Sequence, residues 1–148
     1  MEALIREIAW VGRGNPGQPV QTIYFGGGTP TLLTLAQYRR ILETIHTHFD
    51  VLPEVEISSE ANPDDLTDMA YVRGLRDLGI ERLSIGVQSA VESELAMYGR
   101  LHDAETVVQC VANARAAGFT NLSLDLIYGA PGQTLPMWHE SLDAVIGL

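Results

Sequence analysis

Three polar side chains, Glu60, Gln88 and Asp125, stand at or near the ends of three short β-rich runs. A carboxylate accepts hydrogen bonds from cations and hydroxyls, and a carboxamide both donates and accepts. Each run alternates. Val55, Ile57 and Ser59 interleave with Glu54, Glu56, Ser58 and Glu60. Leu83, Ile85 and Val87 interleave with Ser84, Gly86 and Gln88, and Leu122, Leu124 and Leu126 with Ser123, Asp125 and Ile127. A further run, Val20–Phe25, closes on Gly26-Gly27-Gly28-Thr29-Pro30. Three glycines let backbone N–H and C=O groups approach a ligand with no side chain in the way. Standing alone, the segment reads first as a tight β-to-α turn. It is not a G-x-G-x-x-G fingerprint, because its sixth residue is Thr31.

Composition excludes several chemistries. All nine basic residues are arginine, so neither a Schiff-base lysine nor a G-x-x-x-x-G-K-[ST] phosphate loop exists here. The single Cys110 excludes an intrachain disulfide and any iron–sulfur site built from cysteines of one copy of these residues. A net charge of −10 argues against nucleic acid as a partner. Acidic residues near the N-terminus, Glu2 and Glu7, stand where a signal peptide would be basic. No apolar run approaches the ~20 residues of a membrane span. These features predict a cytoplasmic protein with no integral membrane segment.

The elements that must carry the polar residues follow from periodicity. Helical spacing predicts helices over 2–13, 35–49, 67–78, 91–98, 104–117 and 135–146. Strands are predicted over 20–25, 54–60, 82–88 and 122–128. The alternation of strands and helices implies an α/β fold with a parallel sheet. Strands covered on both faces normally read as near-continuous Val/Ile/Leu, yet three of these present one small, polar face. A buried carboxylate without a partner is costly, so that face is expected to line a cavity holding a polar ligand or water. Glu60, Gln88 and Asp125 lie toward the C-terminal strand ends, the edge at which parallel α/β folds place ligands. A barrel interior fits this pattern better than the alternative, an open sheet with one wet face.

The order of motifs then resembles a known family. Tyr24-Phe25-Gly26-Gly27-Gly28-Thr29-Pro30 is similar to the glycine-rich segment of radical S-adenosylmethionine (SAM) enzymes. It is followed by Glu60-Ala61-Asn62-Pro63, Leu83–Ser89, Gly99-Arg100-Leu101-His102 and Asp125–Thr134, in the order of the oxygen-independent coproporphyrinogen III oxidase family. Gly99–His102 and Pro131–Thr134 resemble more closely its HemW-type branch of heme-binding chaperones. The resemblance runs from about Leu4 to the C-terminus. It implies a partial radical-SAM-type (β/α) barrel, TIM-barrel-like, with four parallel strands and outer helices in a single core domain over residues 1–148.

The resemblance also implies a site. Gly26, Gly27, Gly28 and Thr29 match the segment that binds the SAM methionine amino group. Glu60 matches a carboxylate beside the cofactor, Gln88 and Asp125 match polar residues of the SAM pocket, and Arg100 matches an arginine near the SAM carboxylate. Read as residues only, Glu60 could be a helix-capping or turn carboxylate, Gln88 a polar strand end, Asp125 a partner for a structural arginine, and Arg100 a solvated surface charge. The family's Cys-x-x-x-Cys-x-x-Cys cluster motif has no counterpart here. The resemblance therefore implies a fragment of a radical SAM protein, without the first strand and its cluster loop, the last strand and the C-terminal domain. Its [4Fe–4S] cluster, and porphyrin or heme as partners, would belong to the full-length parent only. No catalytic residue and no metal ligand is expected in these residues, and the chain alone is expected to be inactive. Other readings are a heme-trafficking module without oxidase activity and a degenerate SAM-binding domain. Open edges on the first and fourth strands predict a dimer, an aggregate or another covering of those edges.

Overall fold

The two periodicities resolve, in a computed structural model that describes residues 1–148, into ten elements on one sheet. They are α1 (Glu2–Gly14), β1 (Pro19–Phe25), α2 (Leu35–His48), β2 (Asp50–Ala61), α3 (Met69–Asp77), β3 (Arg82–Gln88), α4 (Glu92–Met97), α5 (Ala104–Ala116), β4 (Asn121–Leu126) and α6 (Leu135–Ile146). All strand pairs are parallel, in the order β1-β2-β3-β4. Two short 3-10 turns, Pro30–Leu32 and Pro63–Leu66, follow the ends of β1 and β2. No helix is long and apolar enough to cross a membrane.

Local chemistry sets the helix starts. Thr34 begins α2 with a reciprocal capping box to Gln37, which satisfies two otherwise orphaned backbone donors. Asp103 and Thr134 cap α5 and α6 through N–H groups of Thr106 and Met137. The third helix differs slightly from expectation. Asp68 caps it by accepting from Ala70 N–H at 2.9 Å, while the Thr67 hydroxyl turns back to the Asp64 carbonyl at 2.9 Å. The reach of the aspartate to the N–H two residues on decides the boundary. β2 also begins earlier than its alternation, at Asp50. Its first residues pair with Pro19 and Val20, and an irregularity between Val20 and Thr22 restores the main register.

One face of the sheet packs on helices. Ile23, Phe25, Ile57, Leu83, Ile85 and Val87 join Tyr38, Ile41 and Leu42 of α2, Val72 and Leu75 of α3, and Val107, Cys110, Val111 and Ala114 of α5 in one core. Each fully buried large aliphatic side chain contributes roughly 1.5–3 kcal/mol relative to exposure. Two polar side chains packed into it are paired: the Tyr38 phenol with the Ser59 hydroxyl at 2.9 Å, and the Asn113 amide with the Leu66 and Thr67 carbonyls. Cys110 is fully buried, as expected for a small hydrophobe.

Alkali is expected to destabilise this core. Burial raises the Tyr38 phenol, raises the Tyr71 phenol, and pushes the Cys110 thiol up to about 12. In the unfolded chain these groups ionise near their ordinary values, about 8.5–10. Between those values and the folded ones the unfolded state binds fewer protons, so stability is full below about pH 8.5 and is lost as pH rises. We expect the unfolding free energy, and with it the urea midpoint, to fall above about pH 9, the free energy by up to roughly 1.4 kcal/mol per fully buried group per pH unit. Midpoints that stay flat to pH 11 would contradict it.

Candidate functional site

The other face of the sheet carries the polar residues, in rows set by the strand register. Tyr24, Ser58 and Arg82 align across β1, β2 and β3. Glu60, Ser84 and Ser123 form the next row across β2, β3 and β4, and Gly86 and Asp125 the next. Near the C-terminal ends of the strands these rows open into a cleft of about 240 Å³. Gly27, Thr29, Glu60, Asn62, Ser84, Gly86, Gln88, Arg100 and Asp125 line it, with Pro30 and Ala61.

Two carboxylates are fixed there by neutral donors. Glu60 accepts from Gly27 N–H at 3.2 Å on one oxygen and from the Tyr24 phenol on the other. That bond to Glu60 is the main cause holding the Tyr24 phenol above its ordinary value, with desolvation and the Glu60 charge adding to it. Asp125 accepts from the Ser84 hydroxyl at 2.6 Å and the Ser123 hydroxyl at 3.1 Å. No arginine neutralises either one. The Arg100 guanidinium instead donates to Asn62 Oδ1 at 2.7 Å, and the Asn62 amide donates to Thr29 Oγ1 at 3.2 Å. The cleft thus presents two carboxylates and one guanidinium to a ligand.

Gln88 is the one non-glycine residue in the left-handed region, with φ of 69°. Such a conformation costs of order 1–3 kcal/mol and persists only where the surroundings over-determine it. The surroundings here are specific: Ile127 N–H donates to the Gln88 carbonyl at 2.9 Å, and His102 Nε2 donates to the Val87 carbonyl at 3.0 Å. The carboxamide folds back over Gly86, where an added Cβ would stand 2.5 Å from Gln88 Nε2. The β3–β4 register shifts between Gly86 and Gln88, and β4 ends at Leu126, two residues short of its predicted end.

Six of the eight expected residues meet in this cleft: Gly27, Thr29, Glu60, Gln88, Arg100 and Asp125. Gly26 and Gly28 do not line it. They face a neighbouring apolar groove of about 400 Å³ with Leu4, Ile8, Phe25, Leu33 and Ile45. Four lining or clamping residues are not singled out by the sequence. Alternation puts Ser84 and Gly86 on the polar face, and Tyr24 alternates with the buried Ile23 and Phe25. Asn62 reads as a turn residue, and nothing in the sequence signals its link between Arg100 and Thr29.

An iron–sulfur cluster does not fit these residues. No group of three or more His, Cys, Asp and Glu side chains is placed to hold a metal ion. Cys110 sits in the core, not in the cleft.

Comparison with known proteins agrees with the geometry. The radical SAM superfamily profile matches residues 2–145. The chain is 41% identical over 142 residues to the heme chaperone HemW of Synechocystis, covering 96% of this chain and 34% of that protein. It is 35% identical over 148 residues to the oxygen-independent coproporphyrinogen III oxidase of Escherichia coli, covering all of this chain and 32% of that protein. The solved structure of coproporphyrinogen III oxidase (HemN) from Escherichia coli, described as a radical SAM enzyme, matches with a TM-score of 0.89 at 34% identity, over 99% of this chain and 33% of that one. The chain therefore spans about a third of the length of the relatives it matches. Its four parallel strands and outer helices are part of a TIM-barrel-like core of the kind found in that enzyme. Fold, motif order and similarity agree that this chain belongs to the radical SAM superfamily.

Proposed function

We propose that these 148 residues are the SAM-holding part of a HemW-type, heme-handling radical SAM protein. The observation that carries this reading is the charge arrangement of the cleft. SAM brings two cationic groups, an ammonium and a sulfonium, and one carboxylate. The cleft brings Glu60 and Asp125 against Arg100. Glu60, already oriented by Gly27 N–H, suits the ammonium. Arg100, held at the rim by Asn62, suits the carboxylate. Gln88 and Ser84 offer hydrogen bonds to ribose hydroxyls or adenine. In the family, SAM supplies radical chemistry once reduced by a [4Fe–4S] cluster. The residues present bind and orient it and hold no cluster.

Calorimetry with SAM tests the reading. We expect binding with a Kd below ~1 mM, a free energy beyond about −4 kcal/mol. Heat indistinguishable from dilution at millimolar SAM would overturn it. The HemW branch is favoured over the oxidase branch by the higher identity, 41% against 35%. Heme titration beside a coproporphyrinogen decarboxylation assay, on a polypeptide carrying these residues at the relatives' length, separates the two. Heme uptake without decarboxylation supports the chaperone, and decarboxylation supports the oxidase.

A further inference from the structure

We infer that Tyr24 is a positioning residue, which clamps the Glu60 carboxylate in the cleft and aims it at a ligand ammonium. Taking that ammonium as part of SAM rests on the function proposed above. The clamp itself rests on three separate placements.

First, Tyr24 lies on the cleft face of β1, between the core residues Ile23 and Phe25, yet it is 61% exposed. Its neighbour in register is the small Ser58, so the ring is free to lean along the strand toward Glu60, two residues further along β2. Second, the ring leans over Gly26. A Cβ at position 26 would stand 2.3 Å from Tyr24 Cε1 and 2.9 Å from Cζ. Gly26 therefore has a role although it does not line the cleft: it leaves the space through which the phenol reaches Glu60. Third, the two oxygens of Glu60 are taken by different donors, the Tyr24 phenol and Gly27 N–H. Each oxygen keeps a lone pair free. A glutamate held at both oxygens has lost its rotamer freedom before the ligand arrives, which lowers the ordering cost of binding.

The charged groups around the phenol agree with this geometry. Glu60 and Asp125 act to keep the proton on it, and Arg82 opposes them. The phenol remains a donor throughout the neutral range, so the clamp is neutral and leaves the Glu60 charge available to the ligand.

The test uses two nucleosides that differ in the group the clamp serves. SAM carries the ammonium, and 5′-methylthioadenosine lacks the whole amino-acid portion and, as a neutral thioether, the sulfonium charge. Calorimetry on Tyr24→Phe is expected to show SAM binding weakened about tenfold, the loss of one hydrogen bond to a charged group. Binding of 5′-methylthioadenosine is expected to change by less than about twofold. Gly26→Ala, which displaces the ring, should repeat the pattern. Equal losses for both ligands would make Tyr24 a packing residue and overturn the inference. A ligand-independent measurement separates this from the SAM reading. In protein labelled with 13C at tyrosine Cζ, the signal lost in Tyr24→Phe should be less ionised at pH 10 than a free phenol, which is about half ionised there. Glu60→Gln should make it ionise earlier. A Tyr24 phenol that titrates like free tyrosine and ignores Glu60→Gln overturns the clamp, whatever binds. If wild type binds neither nucleoside while the phenol behaves as expected, the SAM reading falls and the clamp stands.

Discussion

Anaerobic reconstitution of these 148 residues with iron and sulfide is expected to yield no stoichiometric cluster and no SAM cleavage, although the chain belongs to the radical SAM superfamily. The reason is the ligand set. Iron–sulfur clusters are held by thiolates, usually three or four. There is one cysteine, and it is fully buried on the helical side of the sheet. Burial pushes its thiol up to about 12, so at pH 8 roughly one in ten thousand would be ionised even if iron could reach it. Aspartate and histidine do not substitute, since no three such groups converge. Iron and acid-labile sulfide assays after desalting, with SAM cleavage followed by chromatography under dithionite, check the expectation. A cluster bound at one per chain that cleaves SAM would overturn it. Calorimetry on the same preparation keeps the two functions apart: SAM binding is expected to survive where the cluster does not form.

The polar cleft is legible in the sequence and its internal wiring is not, and the difference lies in what alternation can carry. A strand in this sheet buries one face against helices, so a period of two in Leu83, Ser84, Ile85 and Gly86 fixes which residues face the core and which face the cleft. The same period puts Glu60, Gln88 and Asp125 on one face, while Pro, Gly and capping residues mark the turns around them. Thr34 announces its helix because a side-chain oxygen there satisfies N–H groups that lack an intrahelical partner. Alternation says nothing about the lateral links. Arg100, Asn62 and Thr29 come from three separate loops, and their chain of hydrogen bonds exists only once the sheet has set those loops side by side. Gln88 is subtler still. Its side chain reaches the cleft through a left-handed backbone that no propensity favours. The cause is tertiary: the register shift beside β4 and the His102 contact force the turn. The glycine segment shows the opposite limit. Gly26, Gly27 and Gly28 are indistinguishable as letters, yet Gly27 donates to Glu60, Gly26 makes room for the Tyr24 ring, and Gly28 faces the apolar groove.

Glu60→Gln is expected to weaken SAM binding roughly 10- to 100-fold, the range for losing a hydrogen bond to a charged group at about 1.5–3 kcal/mol. The substitution keeps shape and volume, so the effect isolates charge. The glutamine oxygen can accept from either the Tyr24 phenol or Gly27 N–H, and its amide group then confronts the other donor. The ligand ammonium loses both its counter-charge and one of the two anchors that orient it. Because the cleft is open to solvent, part of the attraction is screened, and wild-type affinity should fall as salt is raised while that of the variant changes less. Stability should scarcely move, since Glu60 packs in no core and no ion pair joins it to an arginine; a thermal midpoint within a few degrees of wild type is the internal check. Glu56 supplies the comparison. It stands on the same strand and the same face, four residues earlier, paired at 3.8 Å with Arg82 in a half-exposed ion pair, an arrangement that contributes little. Glu56→Gln is expected to leave SAM affinity within about twofold. If both variants weaken binding equally, the effect is the general negative field of this face and not a contact at Glu60. If only Glu60→Gln does, then a single carboxylate at the end of β2, fixed by a backbone N–H from the glycine turn of β1, reads the ammonium.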